Sequence, residues 1–271
     1  MTISILDQNR ITSLNSLTNN DTIILSPIFF WELYNNINTL NETKYIESLK
    51  QISNSIVVTY KSIECVEIEL NSKEYLLLDR MINKETTQLI KNWLNTDNPS
   101  ISYIRDTFSV GLTSTIFMDK FTDSAQSIWL PKLRDAYMNF NNGRDRNSAR
   151  KKFEEIDDEI SNDLCCKSIS ACVEILRNKN FTEEQAILFL KEPTVLYNRV
   201  FCYSAIYFYR STESDKNSKN TYSIANDLKD VEYLFLSHYI ESLLSNDKVM
   251  NYTFLHLKKS HIILSKMETG L

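Results

Sequence analysis

The chain has 271 residues, a formal net charge of −5 and a sequence pI of about 5.4. This charge excludes a broad basic surface that coats nucleic acid without specificity, although it leaves room for a local RNA or DNA site. Hydrophobic residues make up 42% of the sequence, which is enough for a full core. The sequence has three glycines and no GxGxxG or GxxxxGK(S/T) motif, so a glycine-rich phosphate-binding loop is not predicted.

The cysteines and the hydropathy pattern indicate a reducing, aqueous compartment. Five cysteines are present, an odd number, and no CxxC pair occurs, so neither a zinc site nor a disulfide framework is predicted. No apolar run approaches ~20 residues, so no membrane span is predicted. The first residues do not follow the basic-then-apolar pattern of a signal peptide. We therefore expect a cytoplasmic protein.

The first 59 residues predict alternating strands and helices. Short apolar runs predict strands, and the segments between them predict helices or turns. The predicted elements are strands at 2–6, 22–25 and 56–59, a helix or turn at 9–19, and a helix at 42–53. Ser26 and Pro27 begin one more helix, because serine is a preferred N-cap and proline is favoured at the first helical position. That helix carries Glu32 about one turn from its start.

The middle of the chain, residues 60–220, changes to helical periodicity. The predicted helices are 72–94, 113–140, 147–178, 182–191 and 193–210. Thr182 and Gln185 form a capping-box pair at the start of one of them. The helix 193–210 is apolar nearly all round, so we expect it to be buried. Residues 211–220 are polar and unpatterned and predict a loop.

Strand and helix patterns return after this middle segment. The predicted elements are a helix at 230–239, a strand at 242–245, a helix at 247–257 and a strand at 262–265. The whole pattern predicts an α/β fold with a central, mostly parallel sheet flanked by helices. We expect a single domain over 1–271, with 60–220 as a helical insertion within it.

Five acidic residues stand at the ends of apolar runs or near helix starts in these outer segments: Asp7, Glu32, Asp227, Asp230 and Asp247. In an α/β protein such positions gather at one edge of the sheet. A cluster of carboxylates there is costly unless a cation neutralises it. Oxygen ligands suit Mg²⁺ or Mn²⁺, which could activate a water for phosphodiester hydrolysis.

At these residues the chain resembles the PIN-like nuclease superfamily. The resemblance is carried by residues 3–9, 23–33, 226–234 and 243–248, and also by 262–268 near the end. It covers only the two outer parts, about 1–59 and 221–271. The resemblance implies a PIN-like fold and a metal-dependent endoribonuclease that uses Mg²⁺ or Mn²⁺ on single-stranded RNA, with DNA a less favoured substrate. Many members are toxins or defence effectors, which implies an antitoxin or regulatory partner, and many form dimers.

The resemblance also implies roles for individual residues. The implied catalytic residues are Asp7, Glu32, Asp230 and Asp247. The implied metal ligands are Asp7, Asp230 and Asp247, with Asp227 competing with Asp230, and Glu32 would be a further ligand or act through a water. Ser26, Asn9 and Asn246 would support the site. The family's usual Thr-x-Asp is Ser245-Asn246-Asp247 here, which keeps a hydroxyl at the first position.

Each candidate also has a structural interpretation. Asp7, Asp230 and Asp247 could be helix caps or turn residues, and Glu32 could be a solvated helix residue. The basic run 143–152 could contact RNA phosphates through Arg144, Arg146 and Arg150, or it could be a solvated helix start that pairs with the acids after it.

Two alternatives to the nuclease hypothesis remain open at this point. One is a catalytically silent PIN-like protein that acts as a protein-interaction or RNA-binding module. The other is a wholly helical scaffold. The tyrosines of the buried helix could stack bases, but such a helix is more often core.

Overall fold

The computed structural model describes residues 2–13, 21–36, 42–103, 145–212 and 223–267. Four parallel strands form one sheet with the order β3-β2-β1-β4. The strands are β1 (Ile3–Leu6), β2 (Thr22–Leu25), β3 (Ile56–Val58) and β4 (Ser242–Leu244). The predicted α/β class and these strands are confirmed, and the wholly helical alternative is wrong.

The strands are short apolar runs because helices cover the sheet. Parallel sheets are normally covered on both faces, so their strands lose the polar-apolar alternation of a half-exposed sheet. Ile5 and Ile24 pair in register at the centre of the sheet and both are completely buried. Ile5 also pairs with Leu243 of β4, and this places β1 between β2 and β4.

The first helices follow the predicted boundaries. A 3₁₀ helix, Gln8–Ser13, follows β1, α1 (Pro27–Asn36) follows β2, and α2 (Glu42–Gln51) leads to β3. Ser26 caps α1: Phe29 N donates to its carbonyl oxygen at 2.9 Å and Ile28 N donates to its Oγ at 3.4 Å. The prediction that Ser26 and Pro27 begin this helix is confirmed.

The prediction of one helix over 72–94 is wrong. The segment contains the end of α3 (Ser62–Ser72), then α4 (Leu78–Met81) and α5 (Lys84–Leu94). Lys73 ends α3 in the left-handed conformation, with φ of 57°. Residues 82 and 83 are extended because they bond to β3 and the residue after it: Ile82 bridges Thr59, and Asn83 N donates to Val58 O at 2.8 Å.

The predicted helix 147–178 is also interrupted. It forms α6 (Arg146–Glu154) and α7 (Asp158–Asn178). Ile156 between them has a φ of 53°, which a continuous helix does not allow. Asp157 then caps α7 by accepting hydrogen bonds from Glu159 N and Ile160 N. A strong local N-cap therefore competes with continuation of the apolar periodicity.

The next two helices agree with the sequence. Thr182 and Gln185 form the predicted capping box at the start of α8 (Glu183–Leu190). The helix α9 (Val195–Ser211) is buried along nearly its whole length and contacts α3, α6 and α7. Tyr197 and Tyr203 are at most 1% exposed, so these rings are core residues and not base-stacking groups. The predicted helix 113–140 and most of the predicted loop 211–220 lie outside the described residues.

Two predictions near the end of the chain are wrong. The helix expected at 230–239 is α10 (Ser223–Leu234), so Asp230 lies inside a helix and does not begin one. The strand expected at 262–265 is part of α11 (Lys248–Met267). Short apolar runs do not distinguish a strand from a helix segment. Here α11 packs against α7 and α9, and His261 Nε2 donates to the Asn198 amide oxygen of α9 at 2.8 Å, which keeps the segment helical.

A buried ion pair joins α10 to the helical middle of the chain. Arg199 of α9 and Glu232 of α10 are 2% and 1% exposed, and their side chains lie 3.1 Å apart. Ser62 of α3 donates its backbone N–H to Glu232 at 2.9 Å and its hydroxyl lies between the two charges. These contacts fix the position of α10, which carries the next group of residues to the edge of the sheet.

Candidate functional site at the carboxyl edge of the sheet

The strand order places a crevice at the carboxyl ends of β1 and β4. The chain moves from β1 to β2 on one side and later returns to β4 on the other side. Such a change of direction leaves space outside the strand ends, where α/β proteins commonly bind ligands. Asp7 follows β1 and Ser245 follows β4, and Asp7 N donates to Leu244 O at 3.0 Å. The two strand ends thus meet at the predicted position.

Asp7 is buried at this crevice. It is 4% exposed, and the Ser245 hydroxyl donates to its Oδ2 at 2.5 Å. A buried carboxylate requires such donors, because desolvation otherwise disfavours its charge. Ser245, the residue that follows β4, therefore holds the Asp7 side chain, and Asp7 is not a solvent-exposed turn residue.

Glu32 of α1 is the second carboxylate of the site. The Tyr233 hydroxyl donates to its Oε2 at 2.6 Å, and its side chain is 16% exposed. Burial is the main cause that raises the pKa of Glu32, the negative charge of Asp7 raises it further, and the Tyr233 hydrogen bond and Lys229 oppose this rise. Asp7 and Glu32 are thus close enough for their charges to interact, and the interpretation of Glu32 as a solvated helix residue is not supported.

Lys229 and Tyr233 lie one turn apart on α10 and both reach Glu32. The Lys229 ammonium lies 4.0 Å from Glu32 Oε1 and 4.3 Å from the centroid of the Trp31 ring. Burial and the charges of Glu32 and Asp7 hold the pKa of Tyr233 well above its usual value, so this phenol remains a hydrogen-bond donor. A spacing of four residues puts both side chains on one helix face. The sequence analysis missed this pair.

Asp247 lies beside Asp7 but also caps a helix. Its Oδ1 accepts a bond from Met250 N at 3.0 Å, which makes it the N-cap of α11. Its backbone N donates to Ser245 Oγ at 3.0 Å. Ser245 therefore bridges the strand-end acid and the helix-cap acid. The structural interpretation of Asp247 as a helix cap is confirmed, and its role in the site stays a prediction.

The structure describes the side chains of some of the other predicted site residues but not of all of them. The Asn246 amide oxygen accepts from an Arg10 guanidinium N–H at 3.2 Å. Ser26 is completely buried at the end of β2, where it caps α1. Asp230 is half-buried inside α10, three residues before Tyr233. The side chains of Asn9 and Asp227 lie outside the described residues, so the choice between Asp227 and Asp230 stays a prediction.

The residues present fit a sparse divalent-ion site. Within the described ranges no group of three or more His, Cys, Asp or Glu side chains is arranged to hold a metal ion. Mg²⁺, however, usually keeps several waters and is bound through one or two carboxylates together with substrate phosphates. Asp7 and Glu32, coupled by charge and joined to Asp247 through Ser245, match that kind of donor set.

The basic run 143–152 extends into α6, and one of its residues, Arg150, has a structural role. Its Nε lies 2.9 Å from Glu154, its other guanidinium nitrogen donates to Tyr209 OH at 2.5 Å, and it lies 5.0 Å from the centroid of that ring. These contacts favour the pairing interpretation over RNA contact. Arg146 is the first residue of α6 and is half-buried. Arg144 lies outside the described residues.

A cavity lies away from these carboxylates. It has a volume of about 610 Å³ and is bounded by the α3–α4 connection and by α8, with Tyr75, Leu77 and Leu188 among its lining residues. It contains none of the predicted site residues. This cavity therefore does not coincide with the carboxylates of the sheet edge.

A scan against protein-family models, a search of curated proteins and a search of solved structures each found no match to this chain. In the described part of the chain, no helix has both the length and the apolar character needed to cross a membrane.

Proposed function

We propose that this chain is a PIN-like, metal-dependent endonuclease that hydrolyses single-stranded RNA. The observation that carries the proposal is a pair of carboxylates at the crevice beside β1. Asp7 is buried and accepts from Ser245, and Glu32 is partly buried, accepts from Tyr233 and interacts with the charge of Asp7. Bringing like charges together without a cation opposes ionisation of both. Such an arrangement is expected where a positive ion or a reacting group completes the site.

Each residue has a defined task in this proposal. Asp7, Glu32 and Asp247 would hold Mg²⁺ or Mn²⁺, with Asp230 or Asp227 as a further ligand. The ion would supply a water of lowered pKa and offset the charge of the phosphodiester. Ser245 holds the Asp7 carboxylate and Tyr233 holds that of Glu32, so neither has to reorganise when substrate binds.

The substrate and biological role follow from the resemblance. RNA is the proposed substrate and DNA the less favoured one. A role as a toxin or defence effector in the cytoplasm, with an antitoxin or regulatory partner and a homo-oligomeric state, belongs to the same proposal. The helical segment 60–220 would shape binding of substrate or partner.

A second function is supported by a different observation. Asp247 Oδ1 is engaged in capping α11, and the described residues contain no group of three metal-ligating acids. Both facts would suit a catalytically silent PIN-like protein that acts as a protein-interaction or RNA-binding module. The two functions differ in whether the carboxylates are needed for turnover.

Cleavage assays separate these functions. Wild-type protein and Asp7→Asn are incubated with end-labelled single-stranded RNA and Mn²⁺, or with EDTA. We expect cleavage that needs Mn²⁺ and falls at least ~100-fold in the variant, because asparagine keeps the shape of aspartate but not its charge. Asp163→Asn, which removes one partner of a surface pair with Lys167, is the matched control.

Persistence of cleavage in Asp7→Asn would assign the activity to another site or to a contaminant. Absence of cleavage by folded wild-type protein, across RNA and DNA substrates, would favour the silent module.

A further inference from the structure

A groove runs along α8, away from the carboxylates of the sheet edge. It has a volume of about 610 Å³, and one of its walls is formed by the α3–α4 connection and α4. The other wall is α8 with the residues beside its ends, and the residues that line it have helical spacing: Phe181, Gln185, Leu188, Phe189 and Glu192. Residues at this spacing share one helix face, so the groove follows that face of α8 along its length.

Both walls of the groove expose large apolar side chains. Leu77 on one wall and Leu188 on the other are 54% and 55% exposed, and Tyr75 is 38% exposed. Ile187, next to Leu188 on α8, is 44% exposed. Single exposed apolar residues are normal on a protein surface, whereas several around one depression are typical of an interaction site.

The charges of the groove lie toward opposite ends of α8. The Lys73 ammonium lies 4.9 Å from the ring centroid of Phe181, which precedes α8, and Glu192 follows α8. Among the residues that the structure describes, neither Lys73 nor Glu192 has an ion-pair partner. Glu74 and Arg80, the other charged residues of the groove, lie 3.9 Å apart and offset each other. The groove is thus positive beside the start of α8 and negative after its end.

This charge distribution is complementary to itself. In a two-fold symmetric interface both copies use the same surface, so every contact between two different residues occurs twice. If α8 packs antiparallel against α8 of a second copy, Lys73 of each chain lies beside Glu192 of the other. Ile187 and Leu188 are near the middle of the groove-forming segment, so they lie close to the two-fold axis and can enter the groove of the second copy.

The composition and size of the groove also favour a second copy over a nucleic acid. The groove has two basic and two acidic side chains, a balance that does not attract a polyanion. Its walls are supplied by residues 73–80 and 181–192. These segments approach the roughly 20–30 residues a side of a standard-size protein interface.

We propose that this groove is the interface of a homodimer in which α8 packs antiparallel against α8 of a second copy and Lys73 pairs with Glu192 across the two-fold axis. The inference rests on the proposed function for its homo-oligomeric state, to which it assigns a surface. The groove contains none of the sheet-edge carboxylates, so the two sites can be tested separately.

The dimer dissociation constant tests the apolar part of the interface. It is measured by sedimentation velocity of the full chain over a concentration series. Leu188→Gln should raise the constant about 10–100-fold, because a two-fold interface loses the same apolar contact twice. Leu188 is more than half exposed in the single chain, so the variant should fold as wild type does, which circular dichroism verifies.

Charge reversal tests the antiparallel arrangement. Lys73→Glu and Glu192→Lys should each raise the dissociation constant at least ~10-fold, because each places like charges together twice. An equimolar mixture of the two variants should dimerise as wild type does, since every pair in the mixed dimer again joins opposite charges. Lys151→Glu, an equal reversal at an exposed residue of α6 outside the groove, is the matched control and should leave the constant unchanged.

A wild-type chain that stays monomeric throughout the series would overturn the proposal and leave the groove to a different protein or a small molecule. Dimers that none of the groove substitutions weakens, or reversal variants that do not recover on mixing, would overturn it as well. Failure of the inference and failure of the proposed function are distinguishable. Metal-dependent cleavage by a monomer would reject the interface and leave the nuclease, whereas the expected dimer without cleavage would leave the interface and reject the nuclease.

Discussion

Buried carboxylates occur in two regions of this molecule, and their surroundings differ. In the helical middle, Glu69 is completely buried and accepts hydrogen bonds from Val195 N, Leu196 N and Leu76 N at 2.9, 3.1 and 3.3 Å. Glu232 of α10 is paired with Arg199 of that same middle segment. Both acids complete the fold: Glu69 satisfies the N–H groups at the start of α9, as a distant N-cap, and Glu232 attaches α10.

At the sheet edge two carboxylates interact instead. Asp7 and Glu32 each have a hydroxyl donor, and the negative charge of Asp7 adds to burial in raising the pKa of Glu32. Burial of an acid is therefore not a sign of function by itself. What separates the two regions is the partner of each acid. Glu69 and Glu232 join elements of the fold through backbone N–H groups and Arg199, whereas the charge of a second carboxylate, Asp7, adds to burial in raising the pKa of Glu32.

The largest expected effect is a loss of stability when the buried ion pair of α9 and α10 is broken. Arg199→Met should reduce the free energy of unfolding by about 3–5 kcal/mol, because it leaves Glu232 buried without its cation. Urea denaturation followed by circular dichroism measures this change. Arg177→Met, which removes an exposed partner of Glu183, should cost less than about 1 kcal/mol.

The double variant Arg199→Met/Glu232→Met sharpens that measurement. It should recover much of the lost stability, since two apolar side chains carry no unpaired charge. A loss as large as in the single variant would show that packing, and not the buried charge, explains the effect.

The second effect concerns pH. Burial raises the pKa of Glu69 from 4.5 to about 7, and its three backbone hydrogen bonds oppose this rise. The folded state thus binds a proton that the unfolded state has released between these values. The contribution of protonated Glu69 to stability is complete below about pH 4.5 and is lost as the pH rises through about 7.

Glu69→Gln should remove this dependence. The slope of the unfolding free energy against pH between 4.5 and 7 should become less negative than in wild type, by up to about 1.4 kcal/mol per pH unit. Urea titrations at several pH values measure it, with Glu183→Gln as an exposed control. Equal slopes in wild type and Glu69→Gln would contradict the assignment.

The smallest effect tests the sheet edge. Mn²⁺ at tenfold its Kd should stabilise the wild-type protein by about 1.4 kcal/mol, which corresponds to a rise in Tm of roughly 2–4 °C. Asp7→Asn should abolish this rise, and Tyr233→Phe should weaken the apparent affinity ~10–100-fold, because it removes the donor that orients Glu32. Differential scanning fluorimetry measures all three.

Asp163→Asn provides the control for this series and should shift with Mn²⁺ as wild type does. A shift of equal size in Asp7→Asn would place the ion elsewhere, and the distinction between the two regions would then lose its functional meaning.

Local sequence signals identified much of the fold. The four strands are short apolar runs between polar segments, and the starts of α1 and α8 carry caps whose hydrogen bonds lie within four residues. Such features depend on neighbours along the chain, so they can be read without the fold. The positions of Asp7 and Asp247 at strand and helix ends followed from the same signals.

Tertiary contacts decided the remainder. The apolar run 262–265 is helical because α11 packs on α7 and α9, and helix 72–94 is broken because residues 82 and 83 bond beside β3. Tyr233 and Lys229 reach Glu32 across about two hundred residues of sequence, since Glu232 and Arg199 hold α10 in place. Pairings of this kind leave no periodic or capping signal, because their energy comes from burial and charge that exist only once the chain has folded.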